Sequence, residues 1–163
     1  MMDASMSPRR RRRQARLMRM VNVPMRTVLS LPFETPISRR LMLVFFTGRK
    51  TGRAYRQPVS YVEDGDVLLT PGGGRWKLNL REGEPIKIRV RGRDVTARPE
   101  FVADPGEVEA LLRKMMAANP RIASFVPFIG PGDHIDPDKL RAGIEYGFRI
   151  VRWRLDDPVR SHA

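Results

Sequence analysis

The chain has 163 residues, enough for one domain that buries roughly two-thirds of its extended-chain surface. It has no cysteine and only two histidines, His134 and His162. That excludes disulfides, thiolate metal sites, iron–sulfur clusters and cysteine nucleophiles, and leaves no basis for a His-rich metal centre or a serine–histidine triad. The formal net charge of +13 is unevenly placed: eight arginines between Arg9 and Arg26 against Asp3 put +7 in the first 26 residues, leaving +6 for the rest. Residues 1–13 read as a disordered basic arm. Residues 14–30 place Leu17, Met20 and Val21 on one face of a short helix that Pro24 limits. The chain therefore divides into a basic, partly amphipathic arm over 1–30 and a single domain over 31–163. The longest apolar run, Leu41 to Phe46, is far short of the ~20 residues a bilayer needs. No apolar stretch of signal-peptide type follows the arginines. A cytoplasmic protein is expected, with an arm able to attach reversibly to an anionic membrane surface at its inner face.

Within the domain, Leu41 to Thr47 reads as a buried strand and Ala54 to Val62 as the next, with Pro58 marking an edge or a bulge. Asp64-Gly65 is a hairpin signal, and Val67 to Thr70 a short third strand. Pro71-Gly72-Gly73-Gly74 reads as irregular, with backbone that something can approach closely. A short helix over Arg75 to Arg81 carries Trp76, Leu78 and Leu80. Ile86, Ile88 and Val90 alternate with Lys87, Arg89 and Arg91 as a half-buried strand does, and Val95 to Val102 returns beside it. Asp104-Pro105-Gly106-Glu107 has an N-cap acid, proline at N1 and glutamate at N3, so it starts a helix. Val108, Leu111, Leu112, Met115 and Met116 follow on one face. Asp136-Pro137 starts a second helix ending near Tyr146-Gly147, and Phe148 to Leu155 is the last strand. About six antiparallel strands with two or three helices make a mainly β, α+β fold without β-α-β alternation, closed or partly closed into a barrel.

Two segments concentrate chemistry. The turn Thr47-Gly48-Arg49-Lys50-Thr51-Gly52-Arg53 offers backbone N–H groups, hydroxyls and cations together, which suits a phosphate, although it is not a Walker A loop. Thr70-Pro71-Gly72-Gly73-Gly74-Arg75-Trp76 sets bare backbone beside an indole, which suits a planar ring. An exposed basic hairpin and a floppy glycine loop are the plain readings of each segment taken alone.

Taken in order, the basic turn, Pro58, Tyr61, Asp64-Gly65-Asp66, and the glycine loop leading to Trp76-x-x-Asn79-Leu80 resemble the deazaflavin-dependent nitroreductase and quinone reductase family. The resemblance covers residues 41 to about 102 and implies a split β-barrel. It implies an oxidoreductase that transfers hydride from reduced coenzyme F420 to a small-molecule quinone, nitroaromatic or enone-type acceptor. It also implies that Arg49, Lys50 and Thr51 grip the coenzyme's phosphate and acidic tail, with Arg53 and Arg56 near them. Pro58, Thr70, Pro71, Gly72, Gly73, Gly74 and Trp76 then line the deazaflavin, and Asn79 flanks it. Relatives often carry Ala-Ser-x-Gly-Gly in a longer loop, and an arginine where this chain has Tyr55 beside Arg56.

Tyr61 and Tyr146 are the candidate proton donors. Flavin mononucleotide and haem are the alternative ligands on this fold, and a non-enzymatic binder of a lipophilic or haem-like ligand at a membrane is the alternative function. No metal site and no nucleic acid partner are expected, because no aromatic residues interleave the Lys87/Arg89/Arg91 face. A homodimer is one open possibility for assembly.

Overall fold

A computed structural model describes residues 25–157, apart from 27, 32–34, 36, 37 and 73. Residues 1–24 of the basic arm, with the apolar face expected from Leu17 to Val21, lie outside the described residues. Seven strands follow: β1 (Leu41–Thr47), β2 (Ala54–Ser60), β3 (Val62–Asp64), β4 (Val67–Gly72), β5 (Ile86–Val90), β6 (Arg93–Val102) and β7 (Arg149–Leu155). Helices α1 (Pro105–Ala118) and α2 (Pro137–Glu145) lie between β6 and β7, and short 3-10 turns occupy Arg75–Asn79, Pro120–Ser124 and Pro131–Asp133.

The strands form one antiparallel sheet in the order β2-β1-β5-β6-β7-β4-β3. Its two edge strands, β2 and β3, are neighbours in the chain, separated only by Tyr61. Ser60 and Val62 therefore lie within about 7 Å of each other. The sheet has to curl until its opposite edges meet at that corner, while β2 and β3 stay unpaired. A split, incompletely closed barrel of the expected α+β class results.

The same corner explains why there are seven strands rather than about six. The run Ala54 to Val62 breaks at Tyr61, whose N–H donates to the Arg40 carbonyl (3.0 Å) and whose hydroxyl donates to the Ser38 carbonyl (2.7 Å). Those bonds turn the chain from one edge of the sheet to the other.

Pro71 and Gly72 also correct the sequence reading. They are not irregular: β4 runs through them, with Pro71 opposite Ile150 and Gly72 opposite Arg149. Strand β3 covers β4 only as far as Leu69. Beyond that residue one side of β4 has no partner strand, so a proline's missing N–H costs no ladder bond there. Gly72 is needed for a close approach between strands. A Cβ at this position would lie 2.9 Å from the Arg149 carbonyl oxygen and 3.2 Å from Val151 Cγ2. Gly72→Ala is expected to destabilise the fold by about 1–3 kcal/mol, read as a lowered midpoint of thermal unfolding.

Alternation along the strands separates two cores. Met42, Val44, Ile88, Val90, Leu68, Val151 and Trp153 fill the barrel interior. Their neighbours Leu69 and Ile150 point to the other face, where α1 covers them with Val108, Leu111, Leu112, Met115 and Met116. The predicted cap starts α1: the Asp104 carboxylate accepts from Glu107 N at 2.9 Å. Asp136 does the same for α2, accepting from Asp138 N and Lys139 N. Arg152 on β7 holds the start of α1 against the sheet, donating to Glu107 (2.6 Å) and to Glu100 (3.1 Å).

Candidate active site

The basic turn is the loop of the β1–β2 hairpin. It is closed by Gly48 N donating to Arg53 O (2.7 Å) and Gly52 N donating to Gly48 O (2.8 Å). Thr51 Oγ1 accepts from Arg53 N (3.3 Å) and lies 3.1 Å from the Tyr55 hydroxyl. The Tyr55 ring stacks on Phe46 with centroids 5.5 Å apart. This packing leaves room only for glycine at residue 48, where a Cβ would fall 2.6 Å from both Thr51 Oγ1 and Tyr55 Cε2.

The turn and the glycine–tryptophan segment, about thirty residues apart in sequence, are joined through one side chain. Asn79 Oδ1 accepts from Arg49 N (2.9 Å), and Asn79 Nδ2 donates to the Trp76 carbonyl (3.1 Å). Between the two segments lies a cleft of about 390 Å³, walled by Arg49, Lys50, Thr51, Arg75, Trp76 and Asn79 together with Phe46, Tyr55 and Leu78. Among the described residues no carboxylate lines it, and Arg49, Lys50 and Arg75 form no ion pair. Cations without local counter-charges beside open backbone attract an anionic group strongly.

Trp76 belongs also to a second cleft of about 690 Å³. Its lining includes Pro58, Ser60, Pro71, Gly74 and Trp76, and a largely aromatic wall of Phe125, Pro127, Phe128, Tyr146 and Phe148. Phe125 is 59% exposed and Tyr146 is 85% exposed, so this wall leaves aromatic surface to solvent. The Trp76 indole that separates the clefts is fixed from within the barrel: it stacks on the fully buried Trp153, 6.3 Å away and 9° from parallel. Trp153 Nε1 in turn donates to Thr70 Oγ1 at 3.0 Å.

Lys77 reverses the pattern expected of the short helix. Leu78 is half-exposed and Lys77 is buried, its ammonium donating to the Gly74 carbonyl at 2.8 Å. Burial, with the Arg149 cation nearby, lowers its pKa below the ordinary lysine value. Lys77 thus anchors the carbonyl at the end of the glycine segment, two residues before Trp76.

The structure brings together Arg49, Lys50, Thr51, Trp76 and Asn79 in the first cleft, and Pro58, Pro71, Gly74, Trp76 and Tyr146 in the second. Arg53 and Arg56 line neither cleft; Arg56 reaches toward Ser30 Oγ at 3.4 Å. Thr70 is fully buried as the Trp153 acceptor, and Gly72 is packed against β7. Tyr61 is buried in the barrel core with its hydroxyl held by Ser38, away from both clefts. Gly73 lies outside the described residues. The sequence reading assigned no site role to Tyr55 or Arg75 of the first cleft, although Tyr55 adjoins one motif and Arg75 lies within the other. It also missed Ser60, Phe125, Phe128 and Phe148 in the second, which come from three separate parts of the chain and carry no local signal.

A model of the F420H(2)-dependent quinone reductase family matches residues 10–125, more than half of the chain. The chain belongs to that family. It is an oxidoreductase whose reductant is F420H2, which decides among the deazaflavin, flavin mononucleotide and haem alternatives. No curated protein matches it. Among solved structures, one of an F420-H2 dependent reductase is 15% identical, over 71% of this chain and 94% of that one, with a TM-score of 0.47. Another, described as a domain-swapped dimer, is 16% identical over 83% of this chain and 98% of that one, with a TM-score of 0.46. No described helix is long and apolar enough to cross a membrane.

The residues present fit the family's coenzyme. Its phosphate and acidic tail need cations free of carboxylates, and the first cleft has them. Its planar ring needs an indole and close backbone, and Trp76 with Gly74 supplies both at the junction of the clefts.

Proposed function

We propose that this protein reduces a flat, conjugated acceptor of quinone type, with nitroaromatic and enone-type compounds as close alternatives, and that the two clefts divide the labour. In this reading Arg49, Lys50 and Arg75 hold the anionic tail of the coenzyme, Trp76 and Gly74 flank its ring, and the aromatic cleft receives the acceptor. The single observation that carries the reading is that Trp76 forms a wall of both clefts at once, one cationic and the other aromatic.

Reduced F420 supplies a hydride when bound. The chain's part is to orient, to exclude water and to place a proton. Phe125, Phe128 and Phe148 offer the acceptor an apolar surface, and the stacked Trp76–Trp153 pair fixes that surface's position relative to the basic turn. A quinone that takes up a hydride also needs one proton to become the hydroquinone. Tyr146, on the rim of the aromatic cleft and open to solvent, is the side chain suited to relay it. Tyr61 is not, because its hydroxyl is engaged in the core.

Fluorescence titration of the purified protein with F420 should give saturable binding. Lys50→Ala should weaken that binding by about 1–3 kcal/mol, or roughly 5- to 150-fold. No saturable binding up to high micromolar coenzyme would sink the reading, and an unchanged affinity in Lys50→Ala would move the anionic tail away from the turn.

A further inference from the structure

The aromatic cleft does not end at Phe125. Past Ser60 and Phe125, which both clefts share, the surface opens into a third depression of about 510 Å³. Arg39, Arg40 and Arg121 stand around it, and among the described residues no carboxylate lines it. Among the described residues Arg40 and Arg121 form no ion pair.

These arginines are carried by pinned backbone. The turn at Ser38–Arg40 is tied to Thr35 by reciprocal bonds, Thr35 N to Ser38 Oγ (2.8 Å) and Ser38 N to Thr35 Oγ1 (3.1 Å). It is tied to the barrel corner by Tyr61, which donates to both the Ser38 and the Arg40 carbonyls. Arg121 lies in the first turn of the 3-10 segment after α1, its N–H donating to the capping Asn119 Oδ1 (3.2 Å), and the next residue, Ile122, is fully buried. Two independently anchored segments thus hold like charges around one depression. Gathering like charges around one depression makes the potential there positive, which favours an anion between them.

The whole groove therefore has cations at both ends and aromatic surface between them: the basic turn at one end, Trp76 and the phenylalanines in the middle, the arginines at the other. The coenzyme's tail accounts for the first end. We propose that the arginine depression is an anion subsite for the acceptor, so that the physiological acceptor is a flat conjugated molecule bearing a carboxylate or similar oxyanion. Its ring lies in the aromatic cleft and its anionic substituent reaches past Ser60 to Arg40 and Arg121. This inference rests on the aromatic cleft being the acceptor site. Because Trp76 stands between the two cationic ends, such an acid would not compete with the coenzyme's tail.

The test uses the full-length protein and two probes, a naphthoquinone bearing a short carboxylate side chain and its primary amide. Without coenzyme, quenching of tryptophan fluorescence should show the acid binding about ten-fold more tightly than the amide at low salt, with the gap shrinking as salt rises. With F420H2, KM for the acid should be lower than for the amide by a similar factor. In Arg40→Gln/Arg121→Gln both ratios should fall to about one. Equal binding of acid and amide by the wild type, or an acid preference that survives in the double variant, overturns the subsite. So does a double variant that keeps the acid preference but no longer pellets with phosphatidylglycerol vesicles, which would make the arginines a membrane contact. Acid preference in the coenzyme-free titration together with no F420 binding would overturn the coenzyme assignment and leave the subsite standing. Equal acid and amide binding with intact F420 binding would overturn the subsite alone.

Discussion

Replacing Trp153 with alanine should lower the unfolding free energy by about 3–5 kcal/mol, measured by denaturant unfolding. The residue is fully buried in the barrel interior, in a cluster drawn from β1, β2, β4, β5, β6 and β7 that cannot collapse without distorting the sheet. Two further losses accompany the missing volume. The Thr70 hydroxyl, itself fully buried, loses the indole N–H it accepts from, and Trp76 loses the ring it stacks on. Trp153→Phe separates these effects. It keeps an aromatic under Trp76 and removes the hydrogen bond, so its cost should be smaller, about 1–3 kcal/mol. The alanine variant should also bind the coenzyme less tightly at temperatures where it is still folded, because the partition between the clefts is no longer braced. Stability within about 1 kcal/mol of wild type in Trp153→Ala would mean that the barrel interior is not packed as described.

Trp153 also marks where sequence reading reaches its limit. Its strand was legible, since Phe148 to Leu155 alternates and ends a chain of hairpins. Both helix starts were legible too, because an acid followed by proline has a local physical meaning that survives tertiary packing, and Asp104 and Asp136 both cap as expected. The glycine segment was misread because composition was weighed before pairing. Three glycines after a proline look like a loop, yet Pro71 and Gly72 complete β4, and Gly72 is close to the backbone of β7 rather than to open space. The swap of Lys77 and Leu78 was hidden for a similar reason. A lysine is assigned to solvent unless something buried accepts from it, and the Gly74 carbonyl that does so is set by the fold. Most of the cationic half of the site was readable because one seven-residue turn carries Arg49 and Lys50, Arg75 alone coming from elsewhere. The aromatic half was not, because Ser60, Phe125, Phe128, Tyr146 and Phe148 meet only after the sheet has curled and the α1–α2 region has folded against it.

Trp76→Ala should have the widest functional effect of any single substitution at the site. The indole lines both clefts, and losing it removes apolar contact worth about 1.5–3 kcal/mol from whatever it covers, or roughly 10- to 150-fold in affinity. F420 affinity, read by fluorescence titration of the coenzyme, and KM for a neutral naphthoquinone should therefore both worsen. Lys50→Ala provides the contrast. Lys50 lines only the cationic cleft, so it should weaken coenzyme binding and leave the acceptor's KM at saturating F420H2 near the wild-type value. Ionic strength separates the two variants further. The contribution of an exposed ammonium is screened over about 10 Å at 0.1 M salt and should fade between low and high salt, while the loss caused by Trp76→Ala should persist. Some folding cost is expected in Trp76→Ala because the stack with Trp153 is broken, so Trp76→Phe is the companion variant, retaining a ring and part of both effects. If Trp76→Ala folds and changes coenzyme affinity alone, the aromatic cleft is not the acceptor site. If it changes neither quantity, the indole is only the barrel's outer lid, and the two clefts serve different ligands independently.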